Sequence, residues 1–173
     1  MTVLIIIDLI NGFCRPGYPL SLGVSAEGME DYLRGRIEEV RRGGGRTVFV
    51  CDSHSDGDPE IGKPYPPHCL GGSAEAAIVE SLAPYAAHEH VITKTTLSVF
   101  FGTSLDRMLD TWRPDTVEVA GVCTEICVLF AVYELRIRGY NVRVASAGVL
   151  PFNPAQQDMF LRYLSLRLGA EVS

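Results

Sequence analysis

The chain has 173 residues, of which 47% are hydrophobic and 21% charged, the balance of an ordinary globular domain. Its net charge of −6 argues against nucleic acid as the main partner, since binding to phosphates needs a basic surface. No apolar run reaches membrane-spanning length and no basic leader precedes the first strand, so we expect a cytoplasmic protein without a membrane partner. Five cysteines at irregular spacing predict reduced thiols.

Six segments are predicted to be strands, because they are short apolar runs rich in β-branched residues. They span residues 3–7, 46–51, 90–93, 117–121, 141–145 and 170–172. Helices are predicted where apolar residues recur at helical spacing or a capping residue precedes such a run. They span residues 25–42, 73–82, 102–111, 127–138 and 153–168.

Two stretches, residues 11–23 and 52–72, contain several prolines and glycines and are predicted to be loops. A loop as long as the second one is usually functional in a compact domain. Strands that alternate with helices are typical of the α/β class. We therefore predict a single three-layer α/β/α domain over residues 1–173, with an open, mostly parallel sheet of about six strands.

Reactive side chains follow four of the predicted strands. Asp8 comes after the first strand, Asp52 after the second, Lys94 after the third, and Cys127 shortly after the fourth. In an open parallel sheet, ligands bind outside the carboxyl ends of the strands. The sequence therefore predicts that these four side chains meet at one edge of the sheet.

The segment around Cys127 is predicted to turn sharply from a buried strand, ending at Gly121, into a helix capped by Thr124. In the first turn of a helix, free amides and the helix dipole lower the pKa of a thiol. The amides of Cys123 and Cys127 are candidates for an oxyanion hole. Cys127 is thus a candidate nucleophile, and the alternative is a buried core thiol without a chemical role.

Asp8 and Lys94 are candidates for the rest of a catalytic triad. A thiol needs a base to become a thiolate, and a carboxylate at the end of the neighbouring strand can accept that proton. Lys94 can hold Asp8 in place and offset negative charge. The alternative is a purely structural buried ion pair.

Two histidines and a carboxylate, Asp52, His54 and His68, have the composition of an open metal site. This donor set suits zinc first, with iron or manganese as the other options. Glu60 lies in the same loop and is a further candidate ligand, directly or through water. The alternative is that the loop histidines are exposed and have no role.

Phe13 and Tyr65 lie on the two loops beside this edge. They are candidates for the walls of a pocket for a flat ring, or else ordinary aromatics that pack the loops.

Five short motifs, in this order, resemble those of the nicotinamidase/pyrazinamidase branch of the isochorismatase-like cysteine hydrolases, over nearly the whole chain. The motifs are Ile7-Asp8 with Asn11 and Phe13; Asp52-Ser53-His54; Tyr65-Pro66-Pro67-His68; Lys94 with Ser98 and Phe100; and Gly121-Val122-Cys123-Thr124-Glu125-Ile126-Cys127-Val128.

The resemblance implies a metal-dependent amidohydrolase that converts nicotinamide, and also pyrazinamide, through a cysteine thioester, in the salvage of NAD. It implies that Cys127 is the nucleophile, with Asp8 and Lys94 completing the triad. It further implies a cis peptide before Cys123, whose amide would serve the oxyanion hole. The metal would be held by Asp52, His54 and His68, with Glu60 approaching it in some members.

The chain departs from the family pattern at Ile10, Gly12 and Leu97, and in the spacing from Glu60 to His68. These departures concern the pocket lining and the role of Glu60, and they leave the triad intact.

Two alternatives to a nicotinamidase remain open. One is a related amidohydrolase that acts on another small amide. The other is a thiol-based redox or metal-sensing protein that uses Cys123 and Cys127 as a pair, although their spacing differs from that of a thioredoxin site. The expected partner is a small-molecule amide, and we expect a homo-oligomer.

Overall fold

Seven strands form one sheet in which every neighbouring pair is parallel. The structure, a computed structural model, describes residues 1–173. The strands are β1 Thr2–Ile7, β2 Arg46–Asp52, β3 His90–Lys94, β4 Thr116–Val122, β5 Val142–Val144, β6 Val149–Leu150 and β7 Glu171–Val172. The sheet order is β3-β2-β1-β4-β5-β7, and the short β6 pairs with the end of β4.

Helices cover both faces of the sheet. They are α1 Asn11–Cys14, α2 Glu27–Arg42, α3 Ala83–Ala86, α4 Leu105–Trp112, α5 Leu129–Ile137 and α6 Gln157–Leu168. The first three pack on one face and the last three on the other, each with its own apolar cluster. This confirms the three-layer α/β/α prediction. None of the helices is both long and apolar enough to cross a bilayer.

The prediction of a helix over residues 73–82 is wrong. The backbone carbonyl of Ala77 accepts a hydrogen bond from Asn11, and that of Glu75 accepts one from Gly12, both at 2.9 Å. These carbonyls are therefore used by α1, which lies within the predicted loop 11–23, instead of closing helical turns within their own segment. The stretch forms turns, and α3 begins only after it.

Gly121 of β4 pairs with Ile7 of β1, and the two backbones lie close together at this point. Gly121 has a φ of +116°, a backbone angle that residues with a side chain rarely adopt, and a Cβ there would overlap the backbone of Ile7. Only glycine fits this position. The end of β4, and the turn that follows it, can therefore lie directly beside the end of β1.

We expect Gly121→Ala to lower the free energy of unfolding by about 3 kcal/mol or more, because it adds both backbone strain and a clash. Gly35→Ala is the matched control, since a Cβ at this helical glycine would meet no atom within 4 Å. It should stabilise the protein by about 0.5–1 kcal/mol. Urea unfolding measures both changes, and equal midpoints for Gly121→Ala and the unmodified protein would contradict the prediction.

Candidate active site

A buried lysine lies between two buried carboxylates at the carboxyl edge of the sheet. Lys94 is 1% exposed, Asp8 is fully buried, and Asp52 is 3% exposed. The ammonium of Lys94 lies 2.9 Å from Asp8 Oδ2 and also pairs with Asp52 Oδ1. In addition, the backbone amide of Asp52 donates a hydrogen bond of 2.8 Å to Asp8 Oδ1. The predicted meeting of these three residues is thus present as one network.

The surroundings of Asp8 shift its protonation. Burial, followed by the negative charge of Asp52, raises the pKa of the Asp8 carboxyl to about 7, and Lys94 opposes this shift. For Asp52, burial also opposes the charge, yet Lys94 and His54 together hold its pKa below the ordinary value. Asp8 is therefore the carboxyl of the pair that can accept and return a proton near neutral pH.

Cys127 lies in the first helical turn after β4, and its Sγ is 3.8 Å from Nζ of Lys94. The sequence predicts that the helix start lowers the pKa of this thiol. In the structure, burial raises the pKa of Cys127 well above its ordinary value, and the charge of Lys94 offsets this only in part. The resting group is therefore a thiol that needs a base, and Asp8 is the neighbouring group that can act as one.

The helix begins differently from the predicted capped start. Residues Thr124–Val128 form a π-helical turn, in which the carbonyl of Cys123 accepts hydrogen bonds from Ile126 and Val128. Thr124 is not the cap, because it lies inside this turn and its buried hydroxyl has no hydrogen-bond partner. The helix thus begins with a π-helical turn and has no side-chain cap.

The backbone around Cys123 has the form that the resemblance implies. The peptide bond between Val122 and Cys123 is cis. The Cys123 amide donates to no acceptor within the protein. It is therefore available to a bound group, as an oxyanion hole requires.

Three buried side chains can hold a metal ion. One ligand atom each of Asp52, His54 and His68 lies within 4.8 Å of the others. Nε2 of His54 is 3.7 Å from Asp52 Oδ1, and Nε2 of His68 is 3.8 Å from Asp52 Oδ2. The buried Nε2 of His54 has no hydrogen-bond partner. An orphaned imidazole nitrogen beside a second imidazole and a carboxylate fits a transition-metal ion.

The other ring nitrogens of both histidines are held by neighbouring groups. Nδ1 of His54 lies 3.3 Å from the carboxylate of Asp58, and Nδ1 of His68 lies 2.9 Å from the carbonyl of Pro66. Such partners fix the ring orientation, so both Nε2 atoms face Asp52. Asp58 was not among the residues predicted from the sequence, although its place four residues after His54 was a local indication of this contact.

Glu60 has another partner in the structure. Its Oε1 accepts a hydrogen bond of 2.8 Å from the amide of Leu97, and Glu60 is not part of the three-residue metal group. Here the carboxylate ties the long loop to the segment after β3.

A narrow pocket opens beside Cys127 and the metal group. Phe13 and Tyr65 both line it, together with Leu97 and with further apolar side chains that were not predicted from the sequence. The full lining is Phe13, Leu20, Asp52, Tyr65, His68, Leu97, Val122, Cys123, Ile126, Cys127 and Phe152. The free space is about 20 Å³, roughly that of one water molecule. Two of the lining residues, Leu20 and Phe152, are partly exposed and mark the outer side of the pocket.

The chain is similar to known proteins in both sequence and structure. The chain is 31% identical over 179 residues to the isochorismatase family protein PncA of Bacillus subtilis, covering 98% of this chain and 97% of that protein. The crystal structure of nicotinamidase PncA from Bacillus subtilis superposes with a TM-score of 0.92 at 28% identity, covering 99% and 98% of the two chains.

A second amidase has a similar structure. The N-carbamoylsarcosine amidase from Thermoplasma acidophilum superposes with a TM-score of 0.87 at 28% identity, over 99% of this chain and 95% of that one. Residues 2–173 match the isochorismatase domain. With this match over almost every residue, the chain belongs to the isochorismatase family.

Proposed function

We propose that the protein is a metal-dependent cysteine amidohydrolase that converts nicotinamide to nicotinate and ammonia and also accepts pyrazinamide. The similarity to the nicotinamidase of Bacillus subtilis supports this assignment. The observation that carries it is that Cys127 lines one apolar pocket together with two residues of the metal group, Asp52 and His68, while the buried Asp8–Lys94 pair lies beside the Cys127 sulfur.

The lining of the pocket separates this proposal from the nearest alternative. N-carbamoylsarcosine carries a carboxylate, and a buried carboxylate needs a cationic partner. Among the eleven lining residues there is no arginine or lysine, and nine are hydrophobic. The side chains of the lining therefore suit an uncharged aromatic carboxamide better than an acidic amide, for which the proposed metal ion would be the one cation at the pocket. Another small neutral amide is the second candidate.

In the proposed mechanism, Asp8 takes the proton of the Cys127 thiol, and the thiolate attacks the amide carbonyl. Lys94, 3.8 Å from the sulfur, stabilises the thiolate and, through its ion pair with Asp8, holds that carboxylate in position. The amides of Cys123 and Cys127 stabilise the oxyanion. Asp8 returns the proton to the departing ammonia, and a water molecule then hydrolyses the thioester, which releases the acid and restores the thiol.

The proposed metal ligands are Asp52, His54 and His68, and the donor set favours zinc, with iron or manganese as alternatives. When bound, the ion would take the ring nitrogen of the substrate and so orient its amide. The chain itself holds the ligands rigid, since all three are buried.

The decisive assay is ammonia release from nicotinamide, with and without a chelator, next to N-carbamoylsarcosine and other small amides. We expect chelator-sensitive turnover of nicotinamide. Faster turnover of an acidic amide would contradict the proposal.

Cys127→Ala should abolish ammonia release while circular dichroism and metal content stay unchanged, because only the nucleophile is lost. Cys123→Ala is the matched control and should keep most activity, since its proposed role uses only the backbone amide. Substantial turnover by Cys127→Ala would reject the nucleophile, and an equally inactive Cys123→Ala would point to a dithiol mechanism.

Asp8→Asn should reduce kcat by about a hundredfold or more, the usual effect of removing a general base. Glu118→Gln is the control, because Glu118 is also a buried carboxylate but pairs with Arg36 at the opposite end of the strands. It should cost stability without a comparable loss of kcat. If both variants kept near-normal rates, Asp8 would be structural.

His54→Ala should lose bound metal and nicotinamide turnover together, as measured by elemental analysis and ammonia release. Asp58→Ala keeps the three ligands, and its metal affinity should weaken by about ten- to a hundredfold, because His54 is no longer oriented. Benzamide, which lacks the ring nitrogen, should be a poor substrate whose rate hardly responds to chelator. Full activity toward nicotinamide in metal-free protein would refute this role of the metal.

A further inference from the structure

Phe152 lines the pocket beside Cys127, although the two residues are well separated in the chain. Its ring packs edge to face on that of Phe13, with 6.5 Å between ring centroids, and Phe13 packs in the same way on His68 at 6.1 Å. Tyr65 contacts the same histidine at 5.8 Å. These rings form a continuous wall from the metal group to Phe152, and we call it the aromatic wall.

Strand pairing does not extend as far as Phe152. β6 ends at Leu150, and the next residue, Pro151, has no N–H with which to continue the ladder. The N–H of Phe152 donates a hydrogen bond of 2.8 Å to Oε1 of Glu125. A carboxylate thus supplies the acceptor for this amide at the point where the pairing with β4 ends.

Glu125 belongs to the π-helical turn, between Cys123 and Cys127. It is not among the residues that line the pocket, so it can act on a bound substrate only through Phe152. The Phe152 amide is the one hydrogen-bond partner of its side chain, because the second oxygen, Oε2, is buried without a partner. The turn that carries the nucleophile therefore also anchors one end of the aromatic wall.

A second lining residue is held in the same manner. The amide of Leu97 donates a hydrogen bond of 2.8 Å to Oε1 of Glu60, and Glu60 also lies outside the lining. Hydrogen bonds to a charged acceptor are stronger than those between neutral groups. Carboxylates behind the lining thus fix the backbone of the pocket at two places.

We propose that Glu125 is a positioning residue, which fixes Phe152 relative to the Cys127 turn and so sets the width of the pocket for a ring-bearing amide. The inference rests on the proposed function and extends it to a residue that does not touch the substrate. A ring held between the aromatic wall and the nucleophile has its amide in place for attack. Without this anchor the wall is free to move away, and binding of the ring weakens while the catalytic groups remain.

The kinetics of two variants test this role. Glu125→Ala should raise KM for nicotinamide about tenfold, the equivalent of one hydrogen bond, while kcat changes less than about threefold. Glu125→Gln keeps an accepting oxygen and is the matched control, with a KM close to that of the unmodified protein. An unchanged KM in Glu125→Ala, a loss confined to kcat, or a Gln variant as impaired as the Ala variant would overturn the proposal.

A double-mutant cycle tests whether Glu125 acts through Phe152. Phe152→Ala removes the ring that Glu125 is proposed to position, and by itself it should raise KM. In that background, Glu125→Ala should have no further effect on KM, because the two residues act as one unit. If the two increases in KM multiply, Glu125 acts independently of Phe152 and the proposal is wrong.

Hydrogen exchange of the Phe152 amide, followed by NMR, tests the anchor without any substrate. The amide proton should exchange at least about tenfold faster in Glu125→Ala than in the unmodified protein, and Glu125→Gln should keep most of the protection. Equal exchange in the unmodified protein and Glu125→Ala would overturn the anchor. An unmodified protein with a protected Phe152 amide but no turnover of nicotinamide would instead contradict the proposed function and leave the anchor in place.

Discussion

The site depends on one buried cation, the ammonium of Lys94. An ammonium without solvent is costly unless charged partners surround it, and here Asp8 and Asp52 both do so. Each of these carboxylates belongs to a different part of the site: Asp8 faces the thiol, and Asp52 faces the two histidines. The base and the metal group are therefore parts of one electrostatic network, and a change in either will be felt by the other.

That network needs the close approach of β1 and β4. Because Gly121 has no side chain, the turn after β4 lies beside the end of β1, and Cys127 comes within reach of Lys94 and Asp8. Burial then has two effects on the catalytic groups. It raises the pKa of the Cys127 thiol, which makes a base necessary, and it raises the pKa of Asp8 to about 7, which makes a carboxyl able to be that base. The same apolar environment strengthens the attraction between Lys94 and the thiolate once it forms.

Different surfaces of the molecule differ in chemical character. The carboxyl edge of the sheet holds the pocket, which is lined mainly by hydrophobic side chains, with Asp52 as the one acidic residue of the lining. The outer surface of α5 and α6 carries six exposed large hydrophobic side chains, whereas α2 and α4 present mostly charged residues to solvent.

The sequence alone determined most of the strands and helices and the residues at the edge of the sheet, because these follow from local rules. Apolar β-branched runs made strands, and the residues just after them had to meet where parallel strands end. Contacts between distant segments decided the rest. Residues 73–82 do not form the predicted helix, because α1 donates hydrogen bonds to two of their carbonyls. The pKa of Cys127 is raised because packing buries its thiol away from solvent. Glu60 bonds to the amide of Leu97, 37 residues away, only because the long loop packs against the segment after β3. Such effects depend on which surfaces come together, and no local pattern carries that information.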